Sequence, residues 1–330
     1  MSTSQVFSLP PYAEELRIGV PLEPAPDITI DEGLAAQYLA ISGDQLRPTL
    51  SAPLSLEITG HTSRLVNPGL VIALSIGQST VATGRVIANL RYDNLSLVRQ
   101  LHLGETVRTV VTPTAAEWTR SGRDRAKVLL SMVLTTSEGE PVATYQRLAL
   151  LPVANAKQLV LNPIPEPALA APLEDFARFI PAEWSSAGGR QPRSLLIGEA
   201  WIDPLADTVS SALELVRLTQ NRAAAHRDFR AGLDGRRLVY GGHTVALAQA
   251  SLSRFSSDLV TILAWRSCSH LLPVFEGDLL TFETTVDAVA HAEPFRLVDA
   301  TVRAFVHRVP SPPAAVLEWH PVLLMRGTGQ

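Results

Sequence analysis

Two stretches, A-I-S-G-D-Q-L-R-P-T at residues 40–49 and R-L-T-Q-N-R-A-A-A-H at residues 217–226, are worn copies of one motif. Each copy is followed about twenty residues later by a glycine that opens an apolar segment, Gly69 in the first half and Gly242 in the second. The ends of the two motifs lie 177 residues apart, and the two glycines lie 173 residues apart. A nearly constant offset of this kind indicates that the chain contains a duplicated domain.

A third pair of segments continues the repeat, with L-H-L-G-E-T at residues 101–106 and P-V-F-E-G-D at residues 273–278. The two copies differ in chemistry at the end of the first motif. The first copy ends in Thr49, whereas the second ends in His226, whose imidazole ionises near neutral pH. The second copy is therefore the better candidate for an active site.

The length and composition of the chain limit its class. Its 330 residues suit two domains of ~150 residues each. Hydrophobic residues make up 46% of the chain and charged residues 18%, as in a globular protein with a large core. The net charge of −4 gives no electrostatic basis for binding nucleic acid, which usually requires a strongly basic domain. We therefore expect a globular protein without a nucleic-acid partner.

The sequence also bears on where the protein works. A single cysteine cannot form an intramolecular disulfide. The first residues, M-S-T-S-Q-V-F-S-L-P-P-Y, have neither the basic segment nor the long apolar run of a signal peptide. No apolar span approaches the ~20 residues of a membrane helix. We expect a cytoplasmic protein with no membrane partner.

Residues 1–151 have the pattern of one folded unit. Asp31 suits the N-cap of a helix in which apolar residues recur at three- to four-residue spacing. The wholly apolar segment 69–77 predicts a buried helix. Alternating apolar residues on both sides of the turn at 137–140 predict a β-hairpin.

Residues 152–193 are rich in proline and end near two adjacent glycines, which predicts a linker that crosses a surface. The segment L-E-D-F-A-R-F-I within it predicts a single helix. Residues 194–330 then repeat the order of the first unit. The pattern there predicts a helical stretch at 208–220, an apolar helix at about 243–255 and a half-buried strand at 298–306.

The expected architecture follows from these elements. One buried helix per unit, wrapped by an antiparallel sheet, is an α+β layer arrangement. Two such units side by side could join their sheets, which would remove one exposed edge from each. We therefore expect two sheet-wrapped helices in a single chain.

The order of these motifs resembles the MaoC-like acyl dehydratases, the (R)-specific enoyl-CoA hydratase family, whose fold is the hotdog. The family motif is an Asp, four residues and a His, followed by a loop that ends in a Gly before the central helix. The second half matches it through N-R-A-A-A-H (221–226) and G-R-R-L-V-Y-G-G-H-T-V-A-L-A (235–248). In the first half, N-L-R-Y-D-N-L-S-L-V-R-Q-L-H-L-G-E-T (89–106) resembles the subgroup that acts on mesaconyl-type CoA esters. The resemblance covers roughly residues 13–151 and 195–310.

The resemblance implies two fused hotdog domains, each an antiparallel sheet around a central helix, with a degenerate motif in the first domain. It also implies a hydro-lyase that reversibly hydrates an enoyl thioester to a 3-hydroxyacyl thioester. The acyl group would be carried by coenzyme A or an acyl carrier protein, and no metal or other cofactor would take part. Whether such chains pair into homodimers stays open.

The second copy departs from the family pattern at Asn221, where the family has Asp, and at Gly241, where a His usually stands. We expect His226 to act as acid and base. The N–H groups of Gly242 and His243 would stabilise charge on the thioester oxygen at a helix N-terminus. Asn221 would orient water through its amide, because it cannot ionise. Gly241 would contact the substrate beside these groups.

Residues 217–237 carry six arginines against two aspartates. The guanidinium fork suits phosphate oxygens, so we expect this segment to bind the phosphates of coenzyme A. The open alternative is a solvated loop with internal ion pairs. The arginines assigned to substrate binding are Arg222, Arg227, Arg236 and Arg237.

Asp44 and Gly69 mark the equivalent place in the first half, and without a His there we expect structural roles for both. Two other functions stay open for the whole chain. A hotdog thioesterase would direct water at the thioester carbonyl, usually with a carboxylate that Asn221 does not provide. A non-catalytic acyl-CoA-binding or partner subunit would fit the incomplete motifs of both copies.

Cys268 and His270 lie two residues apart on a predicted strand and therefore on one face. A cysteine in an apolar strand is usually a packed side chain, so we do not expect a thiol nucleophile here. The histidines include no pair at metal-site spacing with nearby acids, so we expect no metal site.

Overall fold

The computed structural model of the chain describes residues 10–120, 122–166, 171–187 and 191–327. Within that part of the chain, the α-helices are α1 (Glu32–Ser42), α2 (Arg47–Leu50), α3 (Ala52–Thr59), α4 (Pro68–Gln78), α5 (Thr80–Thr83), α6 (Ala212–Leu218), α7 (Ala224–Arg227) and α8 (Gly241–Phe255). The strands are β1 (Ile28–Thr29), β2 (Ala88–Leu97), β3 (Thr106–Thr119), β4 (Gly122–Thr136), β5 (Pro141–Pro152), β6 (Ala200–Ile202), β7 (Asp207–Thr208), β8 (Leu259–His270), β9 (Leu279–Ala292), β10 (Phe295–His307) and β11 (Ala314–Arg326). Short 3-10 helices lie at Ala13–Glu15, Leu173–Phe179 and Phe229–Ala231.

The helices of the first half form where the sequence predicts them. The side chain of Asp31 caps α1 by accepting a hydrogen bond from the N–H of Leu34 at 2.8 Å. The helix ends at Gly43, whose φ of 64° is readily adopted by glycine. All residues of α4 are buried, as its wholly apolar sequence predicts.

The helices of the second half differ slightly from expectation. The central helix α8 begins at Gly241, two residues before the predicted start. The helix predicted at 208–220 is the shorter α6, because Asp207 and Thr208 pair with β9 as a strand. The predicted helix in the connecting segment is the 3-10 helix Leu173–Phe179, whose Leu173 is buried in a cluster with residues of β8 to β11.

One antiparallel sheet runs through both halves, in the order β1-β3-β4-β5-β2-β8-β11-β10-β9-β6, with β7 also paired to β9. The predicted hairpin is formed by β4 and β5. The halves meet where β2 pairs with β8, through Leu95 opposite Trp265 and Ser96 opposite Ala264. The sheets are therefore joined, as expected, and α4 packs against α8. The predicted α+β fold of two fused hotdogs is confirmed.

The duplication is also visible in matched hydrogen bonds. The N–H of Val66 donates to the carbonyl of Leu101 at 2.8 Å, and the N–H of Val239 donates to that of Val274 at 2.9 Å. Both members of the second pair lie 173 residues after those of the first. Each bond ties the segment before the central helix to the turn before a strand. The two helix starts can therefore be compared position by position.

The segment between the halves packs on the surface of the sheet where it is described. Asn162 forms an antiparallel bridge with Ala116 of β3, and Trp184 is buried. The linker residues 167–170 and 188–190, which include the adjacent glycines, lie outside the described residues. The boundaries assigned to the two domains stay a prediction. In the described part of the chain, no helix has the length and apolar character that crossing a membrane requires.

Candidate active site

His226 lies on the single helical turn α7. This turn is tied to the first half, because the N–H of Ala224 donates to the carbonyl of Gly84 at 3.1 Å. The imidazole Nδ1 lies 2.9 Å from the carbonyl oxygen of Leu238. A carbonyl only accepts, so Nδ1 carries the hydrogen and Nε2 keeps its lone pair. His226 is therefore held in the tautomer that can act as a base.

The environment of His226 keeps the ring neutral. Burial lowers the pKa of His226 to about 4, with a further lowering from the positive charge of Arg147, while the bond to Leu238 acts in the opposite direction. The imidazole is therefore unprotonated near neutral pH. Once it has taken a proton, the desolvated imidazolium is a strong acid that readily gives the proton up.

The start of α8 lies next to this ring. Tyr240 is the N-cap residue, and its aromatic ring is 5.7 Å from that of His226, measured between centroids. The first N–H groups of an α-helix have no partner within the helix. Tyr240 provides no side-chain cap, so it does not occupy the amides of Gly241 and Gly242. These two amides are the donors that the second half offers to an anion.

The expected contribution of His243 to this anion site is corrected by the structure. The N–H of His243 donates to the carbonyl of Tyr240 at 2.8 Å, so it is already engaged. The side chain of His243 is fully buried. We therefore leave His243 out of the candidate site.

Gly242 has no room for a side chain. A β-carbon added there would lie 2.6 Å from Cζ and 2.9 Å from the hydroxyl oxygen of Tyr240. The Tyr240 ring cannot easily move aside, because its hydroxyl donates to the carbonyl of Ala73 in α4 at 3.0 Å. A glycine is therefore required where the helix start must stay open.

Gly241 faces a histidine that the sequence reasoning did not assign to the site. A β-carbon at Gly241 would lie 2.5 Å from Nε2 of His270 on β8. The His270 ring thus fills the space that a side chain at position 241 would need, where the family usually has a histidine. Burial lowers the pKa of His270 to about 4, with smaller contributions from His226 and Arg147. The unusual Gly241 was the signal in the sequence that could have indicated this ring.

The neighbouring Cys268 is a packed side chain. It is buried, and burial raises the pKa of its thiol. These features agree with the expectation that it is not a nucleophile.

Asn221 forms a turn at the start of the motif. Its side chain is buried, and its Oδ1 accepts a hydrogen bond from the N–H of Ala223 at 2.9 Å. In the first half, Oδ1 of Asp44 accepts from the N–H of Leu46 at 3.1 Å in the same way. The two residues are therefore structural equivalents, and this oxygen of Asn221 is already used. Orientation of water by its amide nitrogen stays a hypothesis.

The arginines assigned to the substrate surround the entrance to His226. A small cavity of about 110 Å³ is lined by His226, Arg236 and Arg237, and Arg236 stacks on the ring of Phe275 at 4.1 Å. An adjoining open cleft of about 710 Å³ is lined by Arg227, Arg236 and Arg237 among others.

A second open cleft, of about 410 Å³, is lined by Arg222 and Arg227. Arg227 also donates to the carbonyl of Asn221 at 2.7 Å, which ties this cleft to the motif. The positively charged surface thus extends outward from the candidate site, as binding of a phosphorylated carrier would require.

The equivalent place in the first half is closed. The N–H of Gly69, the counterpart of Gly242, donates to Oδ1 of Asn67 at 2.8 Å. Asn67 corresponds in position to Tyr240, which offers no such acceptor. The Asp44 carboxylate is itself engaged, accepting from Asn67 at 2.7 Å and from Gln249 at 2.6 Å. The structure therefore supports structural roles for Asp44 and Gly69.

The described residues contain no group of three or more His, Cys, Asp or Glu side chains arranged to hold a metal ion. The expectation that the protein works without a metal or other cofactor stays a prediction.

Comparison with known proteins follows this geometry. RV0216, a conserved hypothetical protein from Mycobacterium tuberculosis described as essential for bacterial survival during infection and as having a double hotdog fold, is 32% identical. The match has a TM-score of 0.81 and covers 96% of this chain and 98% of that chain. A putative MaoC domain protein dehydratase from Chloroflexus aurantiacus J-10-fl, 21% identical, shares the fold with a TM-score of 0.84 over 98% of this chain and 99% of its own.

Two curated proteins are also similar. A beta-methylmalyl-CoA dehydratase from Chloroflexus aurantiacus is 25% identical over 287 residues, covering 82% of this chain and 80% of the relative. A mesaconyl-CoA hydratase from Cereibacter sphaeroides is 24% identical over 305 residues, covering 86% and 85% respectively. No family model matches the chain.

The fold and the paired helix starts define a double-hotdog protein. The chain belongs to the MaoC-like double-hotdog family, and the resemblance found in its motifs is confirmed.

Proposed function

We propose that the chain catalyses the reversible hydration of an enoyl-CoA to a 3-hydroxyacyl-CoA at the helix start of its second half. The observation that carries this proposal is the position of His226. Its neutral ring, with Nε2 available as a base, lies beside the open start of α8. A base and an anion site at adjacent positions are what the addition of water to an enoyl thioester needs.

The Gly242 amide, with that of Gly241 beside it, would donate to the thioester oxygen. Negative charge develops on this oxygen when water adds to C3, and the positive end of the helix dipole favours it. His226 Nε2 would take a proton from the attacking water. The resulting imidazolium would then give a proton to C2, so that the ring returns to its neutral form. Both protons of the water are thus accounted for, one on the new hydroxyl and one on C2.

His270 would support the same step from the other side of Gly241. Its ring fixes the position of the helix start by filling the space beside that glycine. As a second neutral imidazole it could also hold the water by a hydrogen bond, a task that a carboxylate serves in the family motif. Asn221 would then serve mainly to shape the turn that carries His226.

The arginine-lined clefts support coenzyme A as the carrier. Its phosphates would bind to Arg227, Arg236 and Arg237, which border the cavity of His226 or the cleft adjoining it. Both curated relatives are named for CoA esters. No metal or further cofactor has a part in the proposed steps.

The test is to mix the protein with a panel of enoyl-CoA esters of different length and branching and to follow the loss of conjugated absorbance. A thiol reagent is used in parallel. Loss of absorbance without release of free CoA supports hydration. Release of CoA would instead identify a thioesterase, and binding without either reaction would identify a non-catalytic acyl-CoA-binding protein.

A further inference from the structure

Arg147 on β5 is a buried cation whose described partners are neutral. Its side chain is almost fully buried, with the residue 4% exposed. Its Nε donates to Oδ1 of Asn89 at 2.6 Å, and its Nη1 donates to the hydroxyls of Ser79 and Thr83 at 3.2 and 3.1 Å. These bonds hold the guanidinium in place and leave its charge uncompensated.

Other buried arginines of this protein have carboxylate partners. Arg254 lies 2.5 Å from Asp203, and Arg326 lies 2.6 Å from Asp258. Among the described residues, no carboxylate oxygen lies within ion-pair distance of Arg147. Burying a cation without an anion is costly, so a position of this kind is typical of a site that receives an anionic ligand.

Arg147 lies on the inner side of the candidate active site. Its partner Thr83 is followed by Gly84, whose carbonyl accepts the N–H of Ala224 in the turn that carries His226. The positive charge of Arg147 also lowers the pKa of both His226 and His270, as a nearby cation would. The guanidinium and the proposed reacting groups therefore share one interior region at the junction of the two halves.

We infer that Arg147 binds a carboxylate at the far end of the substrate's acyl group, so that the site prefers thioesters of dicarboxylic acids. The inference rests on the proposed function for the position of the acyl group. A guanidinium can bind both oxygens of a carboxylate at once. An acyl group ending in a methyl would leave the buried charge without a partner. Neutral hydrogen-bonding partners suit this role, because they orient Arg147 without competing for its charge.

The inference can be tested by binding alone. Succinyl-CoA and butyryl-CoA have the same number of acyl carbons and differ in ending with a carboxylate or a methyl. Both are saturated, so neither can be hydrated. By calorimetry, the unaltered protein should bind succinyl-CoA at least about tenfold more tightly than butyryl-CoA, as expected for a charge-assisted hydrogen bond.

Arg147→Gln should remove this preference and leave the affinity for butyryl-CoA within about twofold. Arg147→Lys, which keeps the charge but loses the fork, should retain part of the preference and serves if the glutamine variant does not fold. Arg125→Gln, at an exposed arginine already paired with Asp124, should retain all of it.

Equal binding of the two esters by the unaltered protein would overturn the inference, as would an unchanged preference in both Arg147 variants. Competition by sulfate, with no preference between the esters, would show that Arg147 binds only a small inorganic anion. If the Arg147-dependent preference is found but no enoyl ester is hydrated, the carboxylate site stands and the proposed reaction fails.

Discussion

Nδ1 of His226 lies 2.9 Å from the carbonyl oxygen of Leu238, three positions before the first residue of α8. This one bond connects the second copy of the motif to the helix start that follows it. It fixes the tautomer of the ring and its distance from the open amides. Hydration chemistry depends on this connection, because the base and the anion site must grip the same small molecule.

Gly242→Ala should reduce hydration by ~10²-fold or more, the scale expected when an oxyanion donor is displaced. The added methyl would collide with the buried ring of Tyr240, so either the ring or the start of α8 must shift. Steady-state kinetics on a CoA ester measure the effect. Gly33→Ala in α1 is the matched control, since its methyl meets only the side chain of Asp31 at 3.3 Å. Equal activity of the two variants would argue against an anion site at Gly242.

The free energy of unfolding should fall as the pH is lowered from 7 to 5. Burial lowers the pKa of His243 to about 4, whereas an unfolded histidine titrates near 6.5. The unfolded chain therefore binds more protons in this range, and the stability present above pH 6.5 is lost as the pH falls. His243 alone should contribute a loss of about 2 kcal/mol.

Urea unfolding at both pH values measures this loss. His243→Leu should make the pH dependence shallower, and it also removes two buried ring nitrogens that have no hydrogen-bond partner among the described residues. His291→Gln changes an exposed histidine and should leave the dependence unaltered. An identical pH dependence in the His243 variant would contradict the account of its burial.

The affinity for CoA esters should fall with salt more steeply than the affinity for pantetheine esters, which lack the nucleotide phosphates. Exposed charges are screened by salt, and Arg236 is exposed at the rim of both cavities. The double variant Arg236→Gln, Arg237→Gln should reduce the difference between the two esters. Arg230→Gln is the control from the same loop, because Asp228 already pairs with that charge. Equal salt dependence for both esters would remove the phosphate assignment.

Asn221→Ala should lower the free energy of unfolding by about 1 to 2 kcal/mol, because it leaves the N–H of Ala223 without its acceptor in a buried turn. Asn155→Ala is a matched control. Asn155 makes the same type of turn with the N–H of Lys157 but is exposed, so its replacement should cost less. A larger loss for the Asn155 variant would show that the Asn221 turn is not a stabilising feature.

The repeats in the sequence were sufficient to predict the fold. The apolar segment after Asn67 could only be a buried helix, and the alternation around residues 137–140 could only be a hairpin, so local pattern and tertiary structure agreed. The joined sheet followed from the need to cover two edges. The start of α8 and the length of α6 were less well predicted, because pairing of Asp207 and Thr208 with β9 depends on contacts distant in sequence.

The candidate site was predicted only in part for the same reason. His226 and Gly242 belong to a repeated local motif and could be found in the sequence. His270 and Arg147 lie on strands, far along the chain from the motif, and come close to it only through the sheet. The engaged N–H of His243 could not be foreseen either, since it depends on the tight first turn of α8.

The most direct measurement is the rate at which the protein removes the conjugated absorbance of enoyl-CoA esters, those ending in a methyl and those ending in a carboxylate, before and after His226→Gln. The account predicts hydration without CoA release by the unaltered protein, a loss of at least ~10²-fold in the variant, and no loss in His291→Gln. Turnover by His226→Gln at the unaltered rate would contradict the central role of this imidazole.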